Sequence, residues 1–319
     1  MYITLVSFDN WGFNSYIAAA LKEKGHKVEH INFDKFKYKY PNFLHKIYNF
    51  FLKILFKKNI KTRFFGEKII EELKKNTTTQ DVILVIKGDF IDPKSVLELK
   101  KYGNKTIAYF NDNTRRCPKI IRVIPHFDEV FSFEKKDCEK YNLKFATNWI
   151  YNSISMSPEK SIERQVFNII SEDKRLPVLS KIASDLNAKN ISHKILVYSK
   201  TGRKKTCSID YISKKKTLEK IKNYINSSQV LLDINRDNQD GLTFRVFESI
   251  GLQKKLITTN TDIKNYDFYN PNNILIIDKI NPDIEISFFD KEYQQIPSSI
   301  YNKYSLDGWL KKVVFNNLQ

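Results

Sequence analysis

Short apolar runs alternate with helical patterns along the whole chain, and this alternation constrains the fold more than any other feature. Runs such as Tyr2–Ser7 and Asp81–Lys87 have the length and residue types of β-strands. Segments such as Gly12–Lys24, which lie between the runs, have the pattern of helices. Strands that alternate with helices are typical of a mostly parallel sheet. The sequence therefore predicts an α/β protein.

The pattern starts again after a polar stretch at Asn152–Ser161, which indicates two successive halves. We expect two Rossmann-like domains that face one another across a cleft, at residues 1–152 and 153–319, with a helix at Ser305–Val314 closing the chain. The predicted strands are Tyr2–Ser7, Lys27–Phe33, Asp81–Lys87, Lys105–Phe110 and Glu129–Phe133 in the first half, and Gln165–Ile170, Lys194–Tyr198, Val230–Ile234, Lys255–Thr259 and Asn273–Asp278 in the second.

Composition narrows the class of protein. Hydrophobic residues make up 41% and aromatic residues 13% of the chain, which suffices for packed cores and argues against disorder. The three cysteines stand far apart without a CxxC pair, which argues against a disulfide framework and structural zinc and favours a reducing cytosol. The N-terminus has the pattern of a first strand rather than of a signal peptide. No window of 18 uninterrupted apolar residues predicts a transmembrane helix. A cytoplasmic protein is expected.

The formal net charge is +18 at pH 7. Much of this charge reflects an overall composition rich in Lys, Asn, Ile and Tyr, as in proteins encoded by AT-rich genomes. The remainder is consistent with attraction to anions, which include nucleotide phosphates, an anionic membrane surface and an acidic glycan.

The most informative stretch runs from Val230 to Asn260 and reads VLLDINRDNQDGLTFRVFESIGLQKKLITTN. Its pattern predicts a strand, a polar loop, a helix and a second strand. The loop follows the carboxyl end of a buried strand, where open α/β sheets bind ligands. We expect the helix to begin at Leu242, with Asp240 as a capping residue and Gly241 as a flexible one. The free N–H groups at such a helix start attract phosphate.

Arg245 and Glu248 are three residues apart and share a face of this helix. They form either an exposed surface pair or a binding pair. In the second case Arg245 lies near a diphosphate, and Glu248 accepts hydrogen bonds from ribose hydroxyls, for which a carboxylate is well suited.

This stretch resembles the donor-binding segment of bacterial GT-B glycosyltransferases. Asp240 and Glu248 are separated by seven residues, as are the two acids of the E-x7-E motif of retaining members. The runs FRVFESIGLQKKLITTN and YDFYNPNNILIID resemble those of surface-polysaccharide and lipooligosaccharide glycosyltransferases and their CgeB-like relatives. The resemblance implies that Glu248 holds the nucleotide ribose and that helix-start groups, here Gly241 and Thr243, hold the phosphates. It places Asp240 near the donor sugar, although Asp in place of Glu leaves the stereochemistry open.

Two basic clusters follow predicted strands and are candidates to neutralise the diphosphate leaving group. Arg175 is the preferred residue, and Arg203 and Lys205 come from the second cluster. The alternative for each is a solvated basic loop.

On the acceptor side, Asp9 follows the first strand and is a candidate general base. Its alternative role is to cap the first helix. Asp112, in the loop after Lys105–Phe110, is the other candidate base.

A basic insert at residues 42–65 carries a wide apolar helical face with lysines opposite it. It is either an interfacial helix on an anionic membrane surface or a core helix with snorkelling lysines. The membrane alternative agrees with the lipid-linked acceptors that are common for surface-glycan enzymes, and it implies a peripheral position at the inner face of the plasma membrane.

The sequence therefore predicts a glycosyltransferase that moves a sugar from a nucleotide-sugar donor to a glycan or glycolipid acceptor in surface polysaccharide biosynthesis. No DxD motif indicates a metal, so we expect metal-independent transfer with no cofactor besides the donor substrate. Nucleic acid is not an expected partner. The alternatives are a basic non-enzymatic binding protein and a sugar-nucleotide epimerase-like enzyme.

Overall fold

A computed structural model describes residues 1–153, 161–200 and 208–316. The chain forms two compact units. Unit 1 comprises Met1–Thr147 together with the chain from Trp309 onwards, and unit 2 comprises Asn148–Gly308. Each unit is built on a six-stranded sheet, and all of the strand pairs in both sheets are parallel.

The sheet of unit 1 has the strand order β2-β1-β3-β4-β5-β6. Its strands are β1 (Tyr2–Ser7), β2 (Lys27–Asn32), β3 (Gln80–Ile86), β4 (Gly103–Phe110), β5 (Glu129–Ser132) and β6 (Lys144–Phe145). The helices of this unit are α1 (Phe13–Glu23), α2 (Phe43–Leu55), α3 (Ile60–Leu73), α4 (Pro93–Leu99), α5 (Ile120–Val123) and α6 (Lys135–Tyr141). The side chains of residues 82–86 in β3 are all fully buried, as expected for a central parallel strand with helices on both faces.

The sheet of unit 2 has the order β12-β11-β10-β7-β8-β9. Its strands are β7 (Arg164–Ser171), β8 (His193–Tyr198), β9 (Asp210–Ile212), β10 (Ser228–Asp233), β11 (Lys255–Thr258) and β12 (Ile274–Ile276). The helices are α7 (Leu176–Ala188), α8 (Leu218–Asn226), α9 (Phe244–Gly251), α10 (Ser287–Asp290), α11 (Ser298–Tyr304) and α12 (Leu306–Leu310), and a π-helical turn follows at Lys311–Phe315.

The units differ from the predicted division after residue 152 in two places. Residues 148–152 belong to unit 2, where Asn148 Nδ2 donates to the Leu242 carbonyl at 2.8 Å and Ile150 N donates to the Tyr304 carbonyl at 2.9 Å. The end of the chain belongs to unit 1, because the buried ring of Trp309 packs edge-on against Tyr109 with 5.1 Å between the ring centroids.

The insert at 42–65 contains two helices rather than one long face. α2 ends at Leu55, and α3 begins at Ile60 because Asn59 caps it by accepting a hydrogen bond from Lys61 N at 3.0 Å. Most of the large apolar side chains of α2 are exposed. This exposure excludes the alternative of a core helix. No helix of the described residues is long and apolar enough to cross a bilayer.

Candidate functional site

The candidate donor site lies at the carboxyl ends of β7 and β10 in unit 2. β7 and β10 are neighbours, and the chain continues outwards from them in opposite directions, to β8 and β9 on one side and to β11 and β12 on the other. This is the topological switch point at which open α/β sheets bind their ligands. The loop after β7 and the loop after β10 therefore meet where a ligand is expected.

Arg175 connects these two loops. Its Nε and Nη2 atoms both donate to the Asp173 carboxylate at 2.9 Å, and its Nη1 donates to the Ile234 carbonyl at 3.0 Å. Arg236 Nη2 also donates to Asp173, at 3.1 Å. Burial acts to raise the pKa of Asp173, but hydrogen bonds from Arg175 and the charge of Arg236 lower it below its ordinary value. Two guanidinium groups thus share one carboxylate, so this group of three side chains carries one positive charge in excess.

The start of α9 differs from the prediction. The helix begins at Phe244 rather than at Leu242, and Thr243 rather than Asp240 caps it by accepting a hydrogen bond from Arg245 N at 3.1 Å. Thr243 occupies the β-region that a cap requires, and its hydroxyl matches the usual capping geometry. The predicted cap was wrong because a local pattern favours any acid before a helix. The main-chain carbonyl of Asp240 instead accepts from Asn260 Nδ2 at 3.0 Å.

Asp233, the last residue of β10, is a buried group for which sequence reasoning proposed no specific role. Its carboxylate accepts hydrogen bonds from the hydroxyls of Thr243 at 2.8 Å and Thr258 at 3.3 Å. Burial raises its pKa, while these hydroxyls and the charges of Arg175 and Arg245 act in the opposite direction. The sequence feature that could have identified Asp233 is an acid at the end of an otherwise apolar strand, VLLD. Asp233 fixes the cap of α9 to the edge of the sheet.

Arg245 and Glu248 do form a pair, but neither is on the surface. Their side chains are 12% and 3% exposed, and they form an ion pair. The Tyr151 hydroxyl donates to the other carboxylate oxygen of Glu248, and the Arg245 guanidinium lies over the ring of Phe167 at 5.5 Å. Burial raises the pKa of Glu248 despite the opposing charge of Arg245. Of the two alternatives, the structure excludes an exposed surface pair.

Of the other residues predicted at the donor site, the structure describes Gly241 but not Arg203 and Lys205. Gly241 is buried beside the cap of α9, and its carbonyl accepts from Gln239 Nε2 at 3.0 Å. Arg203 and Lys205 lie outside the described residues. The structure thus brings together Arg175, Thr243, Arg245 and Gly241 in unit 2.

In unit 1 the switch point lies between β1 and β3. Asp9 follows β1, and its carboxylate accepts hydrogen bonds from the main-chain N–H groups of Gly12 at 2.8 Å, Asn14 at 3.1 Å and Ser15 at 3.1 Å. This is the helix-capping role that the sequence left open for Asp9. The carboxylate is engaged at the start of α1.

Asp112 follows β4 and lies between two cations. Lys87 Nζ is 2.8 Å from one carboxylate oxygen, and Arg116 pairs with the other. Burial acts to raise the pKa of Asp112, but the charges of Lys87 and Arg116 together lower it below its ordinary value. A carboxylate held in this way is a weak base.

Asp89, which sequence reasoning missed, has the opposite character. It lies in the short turn after β3, is 8% exposed, and burial raises its pKa to about 6. The nearby charge of Asp112 also raises this pKa, whereas Lys87 lowers it. No basic side chain of the described residues forms an ion pair with Asp89. The residue before this turn, Lys87, has a left-handed backbone with φ of 62°, an uncommon conformation that clusters at functional sites.

Solved structures match this chain over nearly its whole length. An α-glucosyltransferase in complex with UDP and a 13-mer DNA aligns with a TM-score of 0.54 and 10% identity, over 98% of this chain and 95% of that one. A UDP-forming trehalose-phosphate synthase from Burkholderia xenovorans aligns with a TM-score of 0.55 and 12% identity, over 99% and 98%. HepE of Anabaena, in complex with UDP and glucose, aligns with a TM-score of 0.57 and 8% identity, over 99% of each chain. No protein-family model matches the chain, and no curated protein matches its sequence.

The chain has the GT-B fold. This confirms the predicted fold class, with one Rossmann-like sheet in each unit. At 8% to 12% identity the similarity to these glycosyltransferases establishes the fold alone. Within the described residues, no group of three His, Cys, Asp or Glu side chains has the arrangement of a metal site.

Proposed function

We propose that this GT-B protein is a glycosyltransferase that moves a sugar from a nucleotide-sugar donor to an acceptor hydroxyl. The observation that carries the proposal is the pair of guanidinium groups, Arg175 and Arg236, at the switch point of unit 2. A planar guanidinium group can donate two parallel hydrogen bonds to the oxygens of a phosphate. A positive charge held at this edge is suited to a diphosphate, which becomes the leaving group when the glycosidic bond to the donor breaks.

On the donor side we assign the diphosphate to Arg175 and Arg236, together with the N–H groups at the Thr243-capped start of α9. Glu248 holds the ribose and Arg245 supports its charge. For Glu248 to accept a ribose hydroxyl, Tyr151 must release one carboxylate oxygen, because both oxygens are occupied in this structure. We keep Asp240 as the residue near the donor sugar, and Arg203 and Lys205 as further phosphate candidates.

On the acceptor side we assign the proton-accepting role to Asp89 for an inverting reaction. The pKa of its buried carboxyl, about 6, is near that of an efficient general base at neutral pH. The pKa of Asp112 is lowered by Lys87 and Arg116, and the carboxylate of Asp9 caps α1. Two carboxyl groups whose pKa values diverge are typical of acid–base sites. Asp112 then holds Lys87 near Asp89 instead of acting as the base.

The natural acceptor in this proposal is a glycan or lipid-linked glycan of a surface polysaccharide or lipooligosaccharide, as for the surface-polysaccharide glycosyltransferases that the stretch Val230–Asn260 resembles. Transfer is metal-independent, because the arginines supply the positive charge at the leaving group. The protein acts in the cytoplasm, at the inner face of the plasma membrane where lipid-linked acceptors are found.

The first test is a thermal-shift screen of the purified protein against UDP, GDP, CMP and dTDP. We expect a selective rise in the unfolding temperature with one nucleotide, since a ligand that binds only the folded state stabilises it. The rise is expected to disappear in Arg175→Ala and Glu248→Ala. It should remain in Arg63→Ala, which removes an exposed arginine from α3 of unit 1. A folded protein that responds to none of the nucleotides would contradict the proposal and favour a basic binding protein.

A further inference from the structure

The buried side chain of helix α2 is a polar one. Asn49 is fully buried. Its Nδ2 donates to the Tyr40 hydroxyl at 2.6 Å and to Asn59 Oδ1 at 3.3 Å, and its Oδ1 accepts from Ile60 N at 2.9 Å. The polar side of the helix thus faces the protein, which is the reverse of an ordinary surface helix.

The apolar side of α2 faces outwards. At 3.6 residues per turn its exposed apolar side chains fall within an arc of about 160°, and the half-buried Leu52 lies just beyond one edge of this arc. Eight large apolar side chains of the helix are between 37% and 73% exposed, namely Phe43, Leu44, Ile47, Tyr48, Phe50, Phe51, Ile54 and Leu55. A contiguous apolar patch of this kind marks an interaction surface, whereas single exposed apolar residues do not.

Positive charge borders this apolar face on one flank and at the end of the helix. Lys46 and Lys53 are exposed on one flank of α2, and Lys57 and Lys58 follow its end. Residues 31–65 contain nine Lys or Arg, and Asp34 is their sole acid. An anionic bilayer matches both features, because apolar side chains can be buried at the boundary of its acyl chains and its headgroups attract lysines. A two-fold pairing of two antiparallel copies of α2 would instead place the lysine flanks of both copies on the same side.

We propose that α2 docks on an anionic lipid bilayer, with its apolar face in the interfacial region and Lys46 and Lys53 at the level of the headgroups. This names the docking surface for the membrane position in the proposed function. It does not require glycosyl transfer, and vesicle binding can be measured without a donor or an acceptor.

The test is vesicle flotation with the full chain. Vesicles of phosphatidylcholine alone are compared with vesicles in which about a third of the lipid is phosphatidylglycerol, at low and high salt. We expect binding to the anionic vesicles that weakens as salt is raised. Phe50→Ser combined with Ile54→Ser should lower the partition coefficient at least about tenfold. Lys46→Glu combined with Lys53→Glu should lower the partition coefficient about fivefold or more for each residue.

Matched controls come from exposed residues elsewhere. Ile280→Ser removes an apolar side chain that is 69% exposed in unit 2, and Lys220→Glu reverses an exposed charge on α8. Both should float as the wild type does, and circular dichroism should show that all variants are folded. Wild-type protein that stays unbound, or α2 variants that bind as the wild type does, would overturn the proposal. A wild-type dimer that Phe50→Ser with Ile54→Ser converts to a monomer, without vesicle binding by either, would assign the face to a second copy.

Discussion

Glu248 and Arg245 form an ion pair inside unit 2, where only 3% and 12% of their side chains are exposed. The Tyr151 hydroxyl completes the surroundings of the carboxylate. A buried ion pair costs desolvation free energy, and well-packed apolar residues at the same place are often equally stable or more so. The pair is therefore expected to add little net stability over an apolar alternative, which is compatible with the binding role proposed for Glu248.

Removing one partner of this pair should destabilise the protein strongly. Glu248→Ala leaves the Arg245 guanidinium buried without its counter-charge, and we expect the free energy of unfolding to fall by about 3–5 kcal/mol. Glu67→Ala is the matched control, because Glu67 pairs with Arg63 on α3 with both side chains more than half exposed. It should change the stability by less than about 1 kcal/mol. Equal losses in urea unfolding would contradict the burial of the Glu248 pair.

Asp89 and Asp112 should affect stability with opposite dependence on pH. The folded-state pKa of Asp89 is raised from about 4 to about 6. Its stabilising contribution is therefore present at low pH and is lost as pH rises through about 6. Asp89→Asn should be more stable than the wild type above pH 6, by up to about 3 kcal/mol, and the gain should vanish towards pH 4.

For Asp112 the sign reverses, because Lys87 and Arg116 lower its pKa in the folded state. The ionised group contributes stability above its ordinary pKa, and this contribution is lost as pH falls. Asp112→Asn should therefore be less stable than the wild type at pH 7. Urea unfolding from pH 4 to pH 8 checks both variants. The same sign of change for both at pH 7 would refute the assignment of their environments.

The strands were largely predictable from the sequence, whereas the contacts of the site were not. The prediction for β1 has the observed bounds, and that for β2 differs by one residue at its end, because short apolar runs are a local signal. Arg175 reaches a carbonyl 59 residues further along the chain, and Tyr151 reaches a carboxylate 97 residues away. No local periodicity reports such neighbours.

Burial of single polar residues was equally hidden from the sequence. Asp89 stands in the run IKGDFID, which contains nothing to distinguish it from a solvated loop acid. Its pKa depends on the covering of the turn and on Asp112, which the pairing of β3 with β4 brings near. In α2 the sequence did predict the wide apolar face. That this face is exposed follows from the buried hydrogen bonds of Asn49 on the other side of the helix, and the sequence does not reveal them.

The packing of α9 predicts a large effect of a single methyl group. A Cβ on Gly251 would collide with the Asn152 carbonyl and come within 2.6 Å of Ile150 Cγ2. Gly251→Ala should lower the free energy of unfolding by about 3 kcal/mol or more, since a main-chain segment must shift. Gly25→Ala is the control, because open space surrounds Gly25 and only its φ of 81° is strained. It should cost about 1 kcal/mol. A smaller loss for Gly251→Ala than for Gly25→Ala would contradict the close packing.

The assigned role of Glu248 predicts discrimination between ribose and deoxyribose. A ribonucleotide selected by the thermal-shift screen should bind about tenfold or more tightly than its 2′-deoxy form, since a hydrogen bond to a charged group is lost. Glu248→Gln should narrow this ratio. Tyr151→Phe should preserve it, because the variant leaves the carboxylate oxygen available. Equal affinity of the wild type for the two forms, measured by calorimetry, would remove Glu248 from the ribose site.

The most direct test of the donor site is calorimetric titration with the nucleoside diphosphate and monophosphate of the selected base. Arg175 and Arg236 at the switch point should make the diphosphate bind about tenfold or more tightly than the monophosphate. Arg175→Ala should abolish most of this preference and Arg175→Lys part of it, whereas Arg63→Ala should leave it unchanged. Equal affinity of the wild type for the two nucleotides, or a preference that survives Arg175→Ala, would contradict the account.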